Sequence, residues 1–518
     1  MTREQLLSRF RRVSASISVI FLVSGLSVCL FRVPTIHAYF YGDDYLVYEA
    51  SRLPYGYASQ PLLGLLQAGG GKYRPLFTPL VAVALKFFGN SYLGFQSVSW
   101  VLLVLVATVA ASIVLEITTS LLATYMTIFA VTTSRFTWYG QTSVHGLMEF
   151  LALLLLLIAI RFHLRYLATR STTNLVATVL AVAASSFVHE RYLIAVVIFW
   201  ILTFVAHRSW GKRMAGLSLL FPSVVLAHIV LKNVVIGVSY IKGGGETSLS
   251  GSLGPWIIIH FFLSVVGTLG FSSGVNDYFL RNGYQLIDPF QRTIGVISAR
   301  TAFAGLALLL LFYVAALLRR SLSKPRVGPP LLSLWLLCLT LLIPPSTVIS
   351  RIETRWLLGS FICAFIATAT MISALPRGSN KKTVVGLAIA LLLISTYHYQ
   401  RSLDTFSYDR RIAQSVLNEA SLKSTEGRKW NLAIRSREVI PWMFGYGRAF
   451  SQLDFPPRSV TFGPTCTASP CLLVTTREGR IFSKWIVSKS HGDSQRDGKN
   501  DESESQSKKP NQTVILTN

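Results

Sequence analysis

Residues 92–116 read YLGFQSVSWVLLVLVATVAASIVLE, and their one charged residue is Glu116 at the far end. A helix needs roughly 20 mostly apolar residues to cross a bilayer, and this stretch is long enough. Similar stretches recur from residue 14 to residue 398. The 518 residues are 51% hydrophobic and 14% charged, against roughly 25% charge in soluble domains. The chain therefore reads as an all-α polytopic membrane protein, with about eleven transmembrane helices. Spans are expected near 14–31, 92–116, 119–134, 146–160, 172–188, 192–206, 214–236, 294–318, 330–347, 356–375 and 383–398. Arg3, Arg9, Arg11 and Arg12 precede the first span. No clean small-x-small cleavage site follows, so 14–31 reads as an uncleaved span rather than a signal peptide.

The net charge of +26 does not form one patch. The cations fall in short clusters between spans, as the positive-inside rule arranges them, and largely otherwise in the C-terminal segment. That distribution argues against a nucleic-acid partner. The clusters are the N-terminus, Arg161/Arg165/Arg170, Arg208/Lys212/Arg213, Arg319/Arg320/Lys324/Arg326 and Arg377/Lys381/Lys382. All of them share one side if the N-terminus is cytoplasmic and 256–271 is an interfacial or re-entrant helix in a long outer loop, 237–293. The C-terminus is then extracytoplasmic, and a bacterial plasma membrane is the expected location.

Three regions follow from this order: a transmembrane domain over 1–398, a small extracytoplasmic α+β domain over 399–490, and a disordered tail over 491–518. In the second, 399–422 has a helical pattern. Trp430–Ile434, Ser459–Phe462 and Leu472–Thr476 read as strands, and Thr476-Arg477-Glu478-Gly479-Arg480 as a hairpin turn. Cys466 and Cys471 are spaced for a disulfide in an oxidising compartment. Cys29, Cys338 and Cys363 lie in apolar spans and read as core residues.

The polar features gather outside. Asp43-Asp44 follows the first span, and Lys72, Tyr73 and Arg74 lie later in the same loop. Interfacial helices are expected in this loop, one near 45–50 capped by Asp43 or Asp44 and one over 76–88 opened by Pro75. His189-Glu190-Arg191 forms the tip between two short spans. Arg351, Glu353 and Arg355 precede a late span, and Gln141, His145 and Glu149 follow the third. Each has a plain alternative. The acids can cap a helix, Lys72 and Arg74 can meet headgroups, Glu190 and Arg191 can pair in a solvated turn, and Glu353 can pair with the arginines beside it. Lys232, four residues after His228, reads as a snorkelling lysine. The functional reading is a carboxylate base for an acceptor hydroxyl, with guanidinium groups holding a phosphate by paired hydrogen bonds. Gly243-Gly244-Gly245 lacks the flanking pattern of a phosphate loop, and there is no Gly-x-Ser-x-Gly or His-Glu-x-x-His motif.

In this order the motifs resemble those of the GT-C glycosyltransferases, polytopic enzymes that use polyprenyl-phosphate sugars. The resemblance rests on Asp43-Asp44-Tyr45 after span one and on Tyr73-Arg74-Pro75-Leu76 before span two, the latter similar to a motif of transmembrane O-mannosyltransferases. It also rests on His189-Glu190 and on Arg355-Trp356-Leu357-Leu358 opening a late span. It covers most of 14–398. It implies an enzyme transferring a sugar from a polyprenyl-phosphate donor to a glycan, lipid or protein acceptor on the outer face. Asp43 or Asp44 would be catalytic, the former favoured as base. Arg74, Lys72, Arg191, Arg355 and Arg351 would bind the donor phosphate. His189, Glu190, His145, Glu149 and Tyr73 are further site candidates. The chain departs from the pattern in two ways. Residues 135–145 contain no acid, which leaves metal use open, and no tetratricopeptide repeats follow. The rival readings are a transporter or flippase for a lipid-linked saccharide, which needs charges near the midplane, and a non-catalytic scaffold presenting the C-terminal segment.

Overall fold

The computed structural model describes residues 3–32, 44–45, 74–89, 91–137, 140–141, 143–144, 146–206, 216–236, 254–268, 328–347, 353–374, 411–421, 432–435, 460–463, 471–477 and 480–486. It also describes isolated residues between 305 and 315, between 378 and 396, and at 444 and 449. The chain divides into two compact units: Met1–Ala38 with Ser51–Thr405, and Tyr39–Ala50 with Phe406–Asn518.

The first unit is helical. Its helices are α1 (Arg3–Arg32), α2 (Phe77–Phe88), α3 (Tyr92–Thr118), α4 (Leu121–Thr133), α5 (Gly146–Thr169), α6 (Thr172–Val188), α7 (Leu193–Ala206), α8 (Leu220–Ile236), α9 (Gly254–Thr268), α10 (Gly328–Thr340) and α11 (Leu358–Ala374). Short turns of 3₁₀-helix lie at Arg135–Thr137, Glu190–Tyr192 and Thr354–Leu357. Among the described residues five helical stretches are long and apolar enough to cross a membrane: Tyr92–Thr118, Gly146–Thr169, Gly216–Asn233, Gly328–Ser346 and Arg355–Ser373. The chain is a membrane protein on that evidence. The segments expected to span near 294–318 and 383–398 lie mostly outside the described residues.

α3 is the central helix. It packs against α1, α4, α5 and α11. Leu103, Val106, Ala107, Ala110, Ala111, Ile113 and Val114 are fully buried. The small residues among them let neighbouring backbones approach, the packing mode of helices in lipid. Two tight reversals form the hairpins. Thr119 adopts φ 57°, its N–H donating to Leu115 O at 2.9 Å, and Ser120 then caps α4 by accepting from Ala123 N–H at 3.3 Å. Arg170 repeats the device at φ 57°, donating to Tyr166 O at 2.8 Å before α6 begins.

These reversals define one end of the bundle. There Glu116 of α3 accepts from Arg161 and Arg165 of α5. The opposite end is marked by Arg32, which donates to Ser134 O at 3.1 Å and to Thr137 Oγ1 at 2.5 Å. Ser27 with Thr132 (2.6 Å) and Thr396 with Thr133 (3.2 Å) mark it too. α9, in the segment expected to be interfacial or re-entrant, packs on Ile343–Ser346, Thr354–Leu357 and α11. Its described part is 15 residues long.

The second unit carries a four-stranded sheet of β1 (Leu432–Arg435), β2 (Val460–Gly463), β3 (Cys471–Arg477) and β4 (Arg480–Ile486), in the order β2-β1-β3-β4. β1 runs parallel to β2 and to β3, with Ile434 opposite both Phe462 and Leu472. β3 and β4 are antiparallel, closing with Arg477 opposite Arg480, so only Glu478-Gly479 joins them. That length matches a two-residue hairpin loop. Helix 411–421 buries Ile412, Ala413, Val416 and Ala420, a stripe of helical period. Cys471 is disulfide-bonded, and Cys466 lies outside the described residues. Cys338 and Cys363 are buried and free. Cys29 is free but exposed, because no described helix covers its face of α1, which corrects the expectation of a core residue.

Candidate functional site

The sequence His189-Glu190-Arg191-Tyr192 breaks the path from α6 to α7. His189 is extended (φ −145°, ψ 111°) and its N–H donates to Ser185 O at 3.0 Å, ending α6. A turn of 3₁₀-helix follows, and Tyr192 N–H donates to His189 O at 3.0 Å. Ser185 Oγ donates to Ala152 O at 2.7 Å, which fastens α6 to α5. The tip is thereby held over the first turn of α5, where Glu149 is 1% exposed. A carboxylate suits the positive end of a helix.

Arg191 closes the gap. Its Nη2 donates to Glu149 Oε1 at 3.1 Å and its Nη1 lies 3.5 Å from Oε2, a fork matched to a carboxylate. His189 sits between them. Its Nε2 is 2.9 Å from Arg191 Nη2 and 3.6 Å from Glu149 Oε1, and its Nδ1 is 3.3 Å from the Arg191 backbone N. A neutral imidazole accepts at one nitrogen only, so one of the two Arg191 contacts is a hydrogen bond and the other a close approach. A doubly protonated ring would face donors on both sides. Burial, and then the Arg191 charge, push the His189 pKa down to about 3, against the pull of Glu149. His189 is therefore neutral at physiological pH.

Glu190 turns the other way, with Oε2 3.7 Å from Lys232 Nζ in the last turns of α8. One turn earlier His228 stacks on Phe187 at 4.2 Å. Phe187 O also accepts from Leu76 N–H at 3.5 Å, which brings the start of α2 to the end of α6. Arg74 opens that turn, its carbonyl accepting from Phe77 N–H at 3.1 Å. Burial lowers the Arg74 pKa. Glu190 and Glu149 oppose this, and Arg191 and Arg355 add to it. Arg74 thus lies within electrostatic reach of all four. Arg355 pairs closely with Glu353 through Nε and Oε2, ahead of α11. The Arg191 guanidinium lies 5.8 Å from the ring centroid of Trp356, within cation–π range. Tyr192 packs on Gly359, where an added Cβ would come within 3.2 Å of its ring.

The same end holds further buried cations. The Arg135–Thr137 turn packs on Thr354–Leu357, and Phe136 meets Phe361 at 4.7 Å. Arg135 is 3% exposed and lies over Phe136, while Arg32 is fully buried.

Of the residues singled out from sequence, Arg74, Glu149, His189, Glu190, Arg191 and Arg355 come together here. Glu353 joins them through Arg355. Asp44 is fully buried with Tyr45 in a helical turn and belongs to the second unit. Since a capping residue is itself non-helical, Asp44 is not the cap. Asp43, Lys72, Tyr73, His145 and Arg351 lie outside the described residues. Two sequence readings are corrected. Arg191 pairs with Glu149 rather than with its neighbour Glu190, because the 3₁₀ turn points the two side chains apart. Lys232 is 4% exposed and faces Glu190 instead of snorkelling. Its signal in the sequence was its position in the last turn of a span on the side of the other polar groups. Arg32 and Arg135 carried only the signal of arginines at the outer ends of apolar spans.

Among the described residues, Arg74, Arg191, Arg355 and Lys232 stand with Glu149, Glu190 and Glu353 around a neutral histidine, four cations to three anions. Such a cluster can accept an anion. Among the described residues, no three or more His, Cys, Asp or Glu side chains gather as a metal site. No protein-family model and no curated protein matches this chain.

Proposed function

We propose that this chain is a GT-C-type glycosyltransferase that moves a sugar from a polyprenyl-phosphate donor to a glycan, lipid or protein acceptor. Its about eleven spans would sit in a bacterial plasma membrane, with the N-terminus cytoplasmic and the C-terminus extracytoplasmic. The observation that carries the reading is that Arg74, Arg191 and Arg355, from three separate segments, all lie within electrostatic reach of buried Glu149, with Arg191 paired to it directly. Charges at the end of a membrane bundle are costly to bury and mark functional sites.

In the proposed reaction the acceptor oxygen attacks the anomeric carbon. The new C–O bond forms as the bond from that carbon to the phosphate oxygen breaks. The electron pair leaves with the polyprenyl phosphate, whose charge rises from one to two. A carboxylate takes the acceptor proton, and Asp43 and Asp44 are the candidates the sequence offers. Arg74, Arg191 and Arg355 hold the phosphate, and Glu149 and Glu353 fix the aim of Arg191 and Arg355. No step is assigned to a metal.

The test is transfer by the purified protein in proteoliposomes with a panel of polyprenyl-phosphate sugars. Transfer from one of them, lost in Asp43→Asn or Asp44→Asn and retained at raised KM in Arg74→Ala, supports the reading. Removing a positioned base costs roughly 10²–10⁴-fold in rate. Wild-type transfer by both Asn variants removes the acids from the mechanism. Movement of an intact lipid-linked saccharide across the bilayer, without sugar transfer, favours the transporter.

A further inference from the structure

A groove at the other half of the bundle calls for an occupant. It runs between α1 and α3, walled by Ile17, Phe21, Leu22, Leu105 and Val109, and Arg161 stands at one end. Its volume of about 510 Å³ falls in the range of small-molecule sites. Ser18, Thr108 and Ser112 also line it, and the last two spend their hydroxyls within α3, donating to Val104 O at 2.7 Å and Val109 O at 2.8 Å. The walls are therefore mostly apolar. Phe21 and Leu22 are exposed, so the groove opens on the lipid-facing side of α1.

Among the described residues its charged end carries more cation than anion. Arg161 Nε and Nη2 both donate to Glu116 Oε1, and Arg165 donates to the same carboxylate. Two guanidinium groups among the described residues share this one carboxylate. Among the described residues Arg161 Nη1 has no protein partner.

We infer that this groove binds one anionic glycerophospholipid from the leaflet on the side where α1 begins. An acyl chain lies along Leu105 and Val109, and the phosphodiester completes the Arg161–Glu116–Arg165 group. A zwitterionic lipid fills the walls equally well but brings its own cation, so charge complementarity selects the anionic headgroup. The site is at the opposite end from the polar cluster and does not depend on the chain being a transferase.

The experiment uses the full-length protein in nanodiscs of phosphatidylcholine, with or without phosphatidylglycerol. After extraction into detergent, retained lipid is measured by mass spectrometry and thermal unfolding is followed. Phosphatidylglycerol should be retained in preference to phosphatidylcholine and should raise the unfolding temperature. Arg161→Gln should weaken that retention about 5-fold, the loss expected from one surface cation. Val109→Phe, which narrows the groove, should weaken it independently. Inorganic phosphate should give no stabilisation. Equal retention of the two lipids by the wild-type protein would overturn the inference without any variant. Stabilisation by inorganic phosphate equal to that by phosphatidylglycerol would reduce the site to an anion contact and overturn the groove's role.

Discussion

At the scale of single residues, the account rests on buried charges that are aimed by one another. Arg191 is held by Glu149, and the pair is almost out of water, with side-chain exposures of 10% and 1%. Removing one partner strands the other. Glu149→Ala is expected to destabilise the folded protein by about 3–5 kcal/mol, and the Glu149→Ala/Arg191→Ala double variant by less than the sum of the two singles. A double-mutant cycle on thermal unfolding checks this; strict additivity would mean the pair does not interact. His189 gives a prediction in pH. Its folded pKa of about 3 lies below the unfolded value of about 6.5. Between them the unfolded chain binds the proton and the folded chain does not, so stability falls as pH drops from neutrality toward acid. The wild-type protein should lose more unfolding temperature between pH 7.5 and pH 5 than His189→Gln. Equal losses would contradict the neutral, buried histidine. The sequence displayed every one of these charges, but not who pairs with whom. Adjacent Glu190 and Arg191 invited a local pair, and only the 3₁₀ turn after the extended His189 sends them to different helices.

At the scale of elements, what positions the cluster is a set of sharp ends: the α6–α7 break, the Arg74 turn, and the start of α5. The last depends on a glycine pair. A Cβ on Gly146 would come within 2.3 Å of the Gly140 backbone, and one on Gly140 would meet the Phe150 ring at 2.4 Å. Backbone cannot yield as a flexible side chain does, so Gly146→Ala must push Gly140 away from the start of α5. We expect a destabilisation of about 1–3 kcal/mol together with impaired function, since Glu149 lies one turn further on. An unfolding temperature equal to wild type would show that the approach is looser than described. The sequence was informative about elements where chemistry is local. The 76–88 helix was readable from the position of Pro75. The three strands were readable from alternation, and the β3–β4 hairpin from its turn residues Glu478-Gly479. It was less informative about α4: 119–134 reads as a span, whereas the helix has 13 residues, fewer than a bilayer crossing requires.

At the scale of the whole molecule, charge is divided between the ends of the helical unit. The reversals at Thr119 and Arg170 share an end with Arg161 and Arg165, and the polar cluster gathers at the other. If the basic end is cytoplasmic, as the positive-inside rule requires, a cysteine introduced near residue 430 will react with an impermeant thiol reagent in intact cells. Labelling only after permeabilisation would reverse the orientation. The most direct test of the central claim is the initial rate of sugar transfer in proteoliposomes as a function of polyprenyl-phosphate donor, for wild type and Arg355→Ala. If the cluster holds the donor phosphate, the wild-type protein transfers sugar and Arg355→Ala shows a KM raised roughly 10-fold or more, the loss of one charge-assisted contact. A folded wild-type protein that transfers sugar from none of the donors, or an Arg355→Ala variant with unchanged KM, would contradict the account.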